Sequence, residues 1–409
     1  MTQPFDFKQL LADNLPAPAA PYKGLAKYHF VGGNNDPEGV PVAGLAESAQ
    51  RVIRKHGGDL AIYYPNGGPR GDIGLREFLS AKLGKYRGFT PTAERVLVTS
   101  GSNHGLDLLC MAMINPGDTV IAEEHSYSNM IGRLRKRGAN VVAVRLDKDG
   151  LCCDHLAEIL AEHKQRGVTP KFIYAIPTVQ NPTATVMPVE RRRDLLDISR
   201  QYGVAVIEDE CYADLLWDGQ WPDSLCAMDG AEHVIHIGSF SKFLAPALRL
   251  GYITAPEPVL AQLQSLKDDS GTCSLSQMIV ADYMREHYDE HLTELNKRLK
   301  VKLDTLVAAL REEFGDAAEF DVPPGGIFLW VRLPESVDTS RLAPIALAEG
   351  LAFNPGAEWS VNGSTATRYL RLCFAHPSEQ TIREGVAKLA ELCQREFDLV
   401  LQTAPATAG

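Results

Sequence analysis

Between residues 96 and 254, short and almost wholly apolar runs alternate with longer stretches whose apolar positions recur at helical spacing. The runs VLVTS (96–100), TVIAEE (119–124), NVVAVRL (140–146), KFIYAIP (171–177), VAVIED (204–209), HVIHIGS (233–239) and LRLGYIT (248–254) predict strands. Segments between them, such as DHLAEILAEHKQR and PVERRRDLLDISRQYG, predict helices, the second opened by Pro188 and closed by Gly203. Strands that are apolar throughout, rather than at alternate positions, imply a mostly parallel sheet covered on both faces.

The flanks read differently. Residues 1–45 are rich in Pro, Gly and Ala and predict mostly irregular chain. From about residue 48, AESAQRVIRK and then GLREFLSAKLGKYRG predict two helices, the latter ended by Gly88 and Pro91. Beyond about residue 285 a long charged helix, roughly 288–314, precedes GIFLWVRLP, YLRLCFA and a last helix near 377–397. The expected division is an N-terminal arm at 1–47, a large α/β domain at 48–285 and a smaller α+β domain at 286–409. The arm joins the smaller domain in this division. No internal repeat is visible, and low complexity is confined to the Ala/Thr-rich tail after Val400.

Length and composition support that picture. A chain of 409 residues exceeds one typical hydrophobic core, and 45% hydrophobic with 23% charged residues is the balance of a soluble globular protein. The net charge of -11 argues against a nucleic-acid partner while leaving room for a small anion held by local donors. No run approaches a membrane span, so no membrane partner is expected, and the acidic N-terminus predicts no secretory leader. The eight cysteines (110, 152, 153, 211, 226, 273, 373, 393) form no Cys-x-x-Cys pair or metal-ligand spacing. They read as reduced thiols of a cytoplasmic protein, with no metal site.

In open α/β sheets ligands gather beyond the carboxyl ends of the strands, so the polar residues there are candidates. Ser239, Ser241 and Lys242 follow one run, and Arg249 stands near the start of the next. Asp209 ends another run, with Tyr212 close behind; Gly101, Ser102 and Asn103 follow a third, and Asn181 a fourth. Each fragment has a plain alternative. Lys242 could be a solvated lysine, Ser102 an ordinary helix cap, Asp209 a structural partner and Asn181-Pro182 a turn. The Ser-Gly-Ser-Asn turn is equally an anion site by its free N–H groups, and Arg371 could be a snorkelling edge residue.

Eight ordered motifs decide between these readings: Tyr64 with GDIGLREFL, SGSNHGLDLL, HSY at 125–127, QNPT, IEDECYADL, GSFSKFLAPALRLGY, FNPGAEW and YLRLCFA. Over nearly the whole chain they resemble the class I/II aminotransferases that depend on pyridoxal 5′-phosphate, in particular the group containing the 2-aminoadipate and kynurenine enzymes. The resemblance implies the fold-type I architecture: a large domain with a mostly parallel seven-stranded sheet, plus a smaller α+β domain. It makes Lys242 the Schiff-base lysine and proton shuttle, and Asp209 the carboxylate that keeps the pyridine nitrogen protonated. Tyr127 is similar to the aromatic residue stacked on the ring, and Asn181 and Tyr212 to the donors at its phenolic oxygen. Gly101, Ser102, Asn103, Ser239, Ser241 and Arg249 correspond to the phosphate site. Arg371 resembles the arginine that grips the substrate carboxylate, with Asn181 and Gly33 also facing substrate. Tyr64 resembles a tyrosine reaching the phosphate from a neighbouring subunit, which implies a homodimer; Tyr63 is the alternative, because YYPNGGPRGDIGLRE carries extra residues.

Three departures from the family pattern stand out. They are the extra residues just named, Ala184 after Asn-Pro-Thr, and Ala247 where glycine is usual. By the same resemblance the side-chain pocket is lined by Phe30–Asn35, Tyr63–Arg70 and Cys273–Gln277. Arg70 either reads a second substrate carboxylate or is simply solvated. The expected reaction is transamination between an amino acid and a 2-oxo acid. A lyase, cyclase or decarboxylase of the same fold is the first alternative. The ligand-sensing half of a MocR-type regulator is a remote one, set against by the net charge and by a first helix that begins too early to leave room for a DNA-binding region.

Overall fold

In the computed structural model, all residues are described except 1–5, 12–14, 16, 20, 219, 231 and 402–409. Most of the N-terminal stretch read for a leader, and the Ala/Thr-rich tail, therefore lie outside the described residues. Seven strands form the central sheet: β1 (Val96–Thr99), β2 (Thr119–Glu123), β3 (Asn140–Val144), β4 (Phe172–Ala175), β5 (Ala205–Asp209), β6 (Val234–Ser239) and β7 (Gly251–Thr254). Their order across the sheet is β1-β7-β6-β5-β4-β2-β3. Only β7 runs against its neighbours; the remaining pairs are parallel. The expected mostly parallel, seven-stranded α/β sheet is what forms.

Alternation within each strand shows why the runs are apolar throughout. In β4, Phe172 and Tyr174 face one side while Ile173 and Ala175 face the other. On the first side, α3 (Ser102–Met113), α4 (Ser128–Lys136) and a helix at Glu257–Leu266 bury Leu106, Leu109, Met130, Leu134, Leu260 and Leu263 against the sheet. On the second, α5 (Cys153–Gln165) and α6 (Val189–Tyr202) contribute Leu156, Leu160, Leu195 and Leu196. The punctuation of α6 is as the sequence predicts. Pro188 precedes it in extended conformation, and Gly203 closes it at φ 66 with its N–H on the carbonyls of Arg200 and Ser199.

Two helix starts differ from the sequence reading. α1 (Val42–His56) begins at Val42, directly after Pro41. The C-terminal helix spans Ser274–Phe314 without a break, fourteen residues earlier than its charged part suggests. Met278, Val280, Ala281 and Met284 explain it: they are buried, so the core-facing stripe extends upstream of the charged stretch. That helix packs on α1, on α2 (Ile73–Arg87) and on the last helix, Glu379–Phe397.

A second, antiparallel sheet consists of β8 (Phe328–Arg332), β9 (Asn354–Pro355) and β10 (Tyr369–Cys373), in the order β8-β10-β9. Its register sets Trp330 and Asn354 on either side of Arg371, so the three share a face. The arm joins this part of the molecule, since Tyr28–His29 pairs in parallel with Leu351–Ala352. Among the described residues, no helix is long and apolar enough to cross a membrane.

Candidate active site

The carboxyl ends of the strands converge on one cavity of about 110 Å³, which collects Ser102, Asn103, Tyr127, Asn181, Asp209, Tyr212, Ser239, Ser241, Lys242 and Arg249. Their sequence separations are large; topology alone brings them together. One end of the cavity is built for an anion. The N-terminus of α3 supplies free N–H groups, Ser239 and Ser241 supply hydroxyls, and Arg249 supplies its guanidinium. Gly101 sits beneath at φ 82, and a side chain there would run into that guanidinium. Arg249 is itself held by the carbonyls of Pro246 (3.1 Å) and Ser100 (3.2 Å).

Lys242 is half-buried, its Nζ donating to the carbonyl oxygen of Gly33 at 3.1 Å and lying 5.6 Å from the centre of the Tyr212 ring. Desolvation lowers its pKa from the usual 10.5, and the positive charges of Arg371 and Arg249 act in the same direction. Asp209, at the end of β5, accepts the Tyr174 hydroxyl at 2.6 Å and the Cys211 N–H at 3.1 Å. Tyr127 donates to Asn103 Oδ1 at 3.0 Å. Burial pushes the Tyr212 phenol well above its usual range, so it stays a proton donor at neutral pH.

Arg371 projects from β10 toward the same place. Its guanidinium donates to Asn181 Oδ1 (2.9 Å), to the Gly32 carbonyl (2.6 Å) and to Asn354 Oδ1 (3.0 Å). It lies 3.9 Å from the Trp359 ring centre and 5.1 Å from that of Phe328. Its Nε is buried without a partner. An unmatched donor on a buried cation has capacity for one more acceptor, which a carboxylate satisfies.

Some predicted residues stand elsewhere. Tyr64, at φ 56 and packed on Gly271, belongs within this chain to a separate cleft with Asn66, Thr272 and Gln277. Tyr63 is exposed. Arg70 follows neither of its two readings: it pairs with Glu257 and bonds Gln264 at 2.9 Å. Ala184 does adopt the left-handed conformation that favours glycine, at φ 61. Ala247 lies in a short 3-10 turn, Pro246–Leu248.

Several site neighbours escaped the sequence reading. Tyr174 supports Asp209 from the next strand, and its only signal was one hydroxyl inside the apolar run FIYA. Asn354 and Trp359, both within FNPGAEW, brace Arg371. Glu123, at the end of β2, is buried and bonded to Gln180. A carboxyl inside TVIAEE was visible, but nothing local marked it as enclosed.

Comparisons with known proteins agree with this geometry. Residues 32–389 match the family described as aminotransferase class I and II. The chain is 32% identical over 371 residues to aromatic-amino-acid aminotransferase 1 of Thermococcus litoralis, covering 90% of this chain and 88% of that one. Among solved structures, the alpha-aminoadipate aminotransferase LysN of Thermus thermophilus, complexed with N-(5′-phosphopyridoxyl)-L-leucine, superposes with a TM-score of 0.83. It is 32% identical, with 91% and 93% of the two chains covered. A multiple substrate aminotransferase from Thermococcus profundus gives a TM-score of 0.87 at 29% identity, covering 97% of this chain and 100% of that one.

Proposed function

Because the chain belongs to the aminotransferase class I and II family, we infer that it transfers the amino group of an L-amino acid to a 2-oxo acid, using pyridoxal 5′-phosphate attached at Lys242. The observation that carries the reading is a desolvated amine, that of Lys242, in one cavity with the Asp209 carboxylate and an anion cradle.

The residues present fit that cofactor. The α3 N-terminus, Ser239, Ser241 and Arg249 suit a phosphate, and Gly101 leaves the space such a group needs. Asp209, kept in place by Tyr174, suits the pyridine nitrogen; Asn181 and Tyr212 suit the phenolic oxygen, and Tyr127 the ring face. When bound, the cofactor supplies an aldehyde for the amines and a ring that takes up the electron pair left at the substrate Cα.

This chain's side chains do the rest. Arg371, held by Asn181, Gly32 and Asn354, receives the substrate carboxylate on its free Nε edge and sets the Cα hydrogen toward Lys242. Burial shifts Lys242 toward its neutral form, the form in which Nζ can attach the cofactor and, once displaced, take the Cα proton. Phe328 packs edge-on against Tyr212, and Trp359 against the Arg371 guanidinium, so both polar groups are backed by apolar rings.

The same reading makes the enzyme a cytoplasmic homodimer in which Tyr64, or Tyr63, reaches the phosphate of the neighbouring subunit. Apolar side chains that stay exposed beside Tyr64 support a covered face: Ile62 is 65% and Tyr63 77% exposed. All eight cysteines are free, as expected of a reducing compartment. Division into an arm at 1–47, a large domain at 48–285 and a smaller one at 286–409 is supported by the two separate sheets and by the pairing of Tyr28–His29 with Leu351–Ala352.

Borohydride reduction of the enzyme with its cofactor, followed by peptide mass spectrometry, should place the cofactor mass on Lys242. Lys242→Ala should lose both that label and turnover. Equimolar appearance of a new amino acid from the acceptor 2-oxo acid separates transamination from a lyase or decarboxylase. A label on another lysine would overturn the assignment.

A further inference from the structure

The loop at 178–186 links the end of β4 to Asn181, and one side chain secures it. Gln180 is buried and uses its whole amide. Nε2 donates to the His125 carbonyl at 2.7 Å and to Glu123 Oε2 at 2.9 Å. Oε1 accepts the Thr183 N–H at 2.9 Å and the Thr183 hydroxyl at 2.8 Å. Acceptors on one side and donors on the other fix the orientation of the amide. Glu123, the last residue of β2, is also buried, and its second oxygen takes the Ile176 N–H at 3.3 Å.

Both ends of this clamp lead to the cavity. Asn181, the residue after Gln180, accepts from Arg371. Tyr127 lies just past His125 and lines the cavity wall. We propose that Glu123 is a positioning residue for transamination, acting through Gln180 to hold Asn181 and Tyr127 in register across the cavity. The proposal rests on the reading of that cavity as the cofactor site.

The cost of keeping Glu123 where it is argues for a role beyond packing. Desolvation dominates the carboxyl's surroundings and, with the nearby Asp209 charge, outweighs the Gln180 and Ile176 hydrogen bonds. An apolar residue of similar volume would avoid that penalty. What it would not provide is an acceptor facing two fixed N–H donors, one on β4's exit and one on the loop.

The test is a cycle of Glu123→Ala, Gln180→Ala and the double variant, with Glu123→Gln as the conservative form. Readouts are pyridoxal 5′-phosphate affinity of the apoprotein by fluorescence, KM and kcat separately, and the thermal midpoint of the apoprotein. Each alanine variant should weaken cofactor binding and raise the amino-acid KM by about tenfold or more, the range seen when outer supports of a bound group are removed. The double variant should be no worse than the worse single, since both break one clamp. Glu123→Gln, which keeps one acceptor, should fall between wild type and Glu123→Ala.

Effects that multiply in the double variant would show that Glu123 does not act through Gln180, and a lowered midpoint with unchanged affinity and KM would show that it serves folding alone; either result overturns the proposal. Should Glu123→Ala not fold, Gln180→Ala and Glu123→Gln carry the same comparison. Borohydride labelling of Lys242 stays intact if only the clamp is wrong. It fails in the wild type if the cofactor reading is wrong.

Discussion

The Lys242 amine reaches the carbonyl oxygen of Gly33 at 3.1 Å, across 209 residues of sequence. An arm that the sequence marks as irregular thus supplies a partner for the Lys242 amine. Gly33 is required here for space rather than for its backbone angles, because a Cβ would stand in the path of the Lys242 side chain. Gly33→Ala should therefore displace Nζ and reduce kcat by about tenfold or more, a misplacement effect on the scale known for reacting groups. The apoprotein should melt within a few degrees of wild type. A fully active Gly33→Ala enzyme would contradict this account.

Arg371→Lys should preserve a positive charge and lose the fork that serves Asn181, Asn354 and Gly32 together. The expected result is a rise in amino-acid KM of roughly 10–100-fold, about 1.4–2.8 kcal/mol of carboxylate binding. Steady-state kinetics with donors of different side chains should show the same factor for each, since the contact is to the carboxylate they share. A factor that varied with side chain would assign Arg371 to the specificity pocket instead.

Tyr174→Phe removes the hydroxyl that donates to Asp209 at 2.6 Å. Losing a buried hydrogen bond to a charged acceptor is worth about 1.5–3 kcal/mol. Stability by denaturant titration should fall by that amount. Turnover should fall only several-fold, because Cys211 N–H still orients the carboxylate.

Stability should carry a pH signature from Glu123. Burial, with a smaller push from the Asp209 charge, raises its pKa from 4.5 to about 8, against the Gln180 and Ile176 hydrogen bonds. The folded protein thus holds a proton between those values that the unfolded chain has released. Each pH unit in that window should lower folding stability by about 1.4 kcal/mol, with no further loss above it. Glu123→Gln cannot titrate, so the stability difference between wild type and variant should change steadily between about pH 4.5 and about pH 8. A constant difference would mean that Glu123 is ionised throughout.

Much of this was legible in the chain itself. Seven apolar runs announced seven strands, and Pro188 and Gly203 bounded a helix where expected. Lys242, Asp209 and Ser102 stand out because strand ends in such sheets are where ligands bind. The reading faltered where a residue's neighbours came from distant segments. Arg70 shows it: the sequence offered substrate or solvent, and the fold pairs it with Glu257, 187 residues away. The long helix shows the same at the level of an element, since its first turns become legible as helix only once the surface that buries Met278 and Met284 is known.

Local rules, then, determined the order of elements, the sheet type and the identities of the chemical groups, because periodicity and punctuation are written in consecutive residues. Tertiary structure alone decided which groups share one cavity. Burial is set by everything packed around a side chain, and it is burial that lowers the Lys242 pKa, raises that of Glu123 and leaves one nitrogen of Arg371 without a partner.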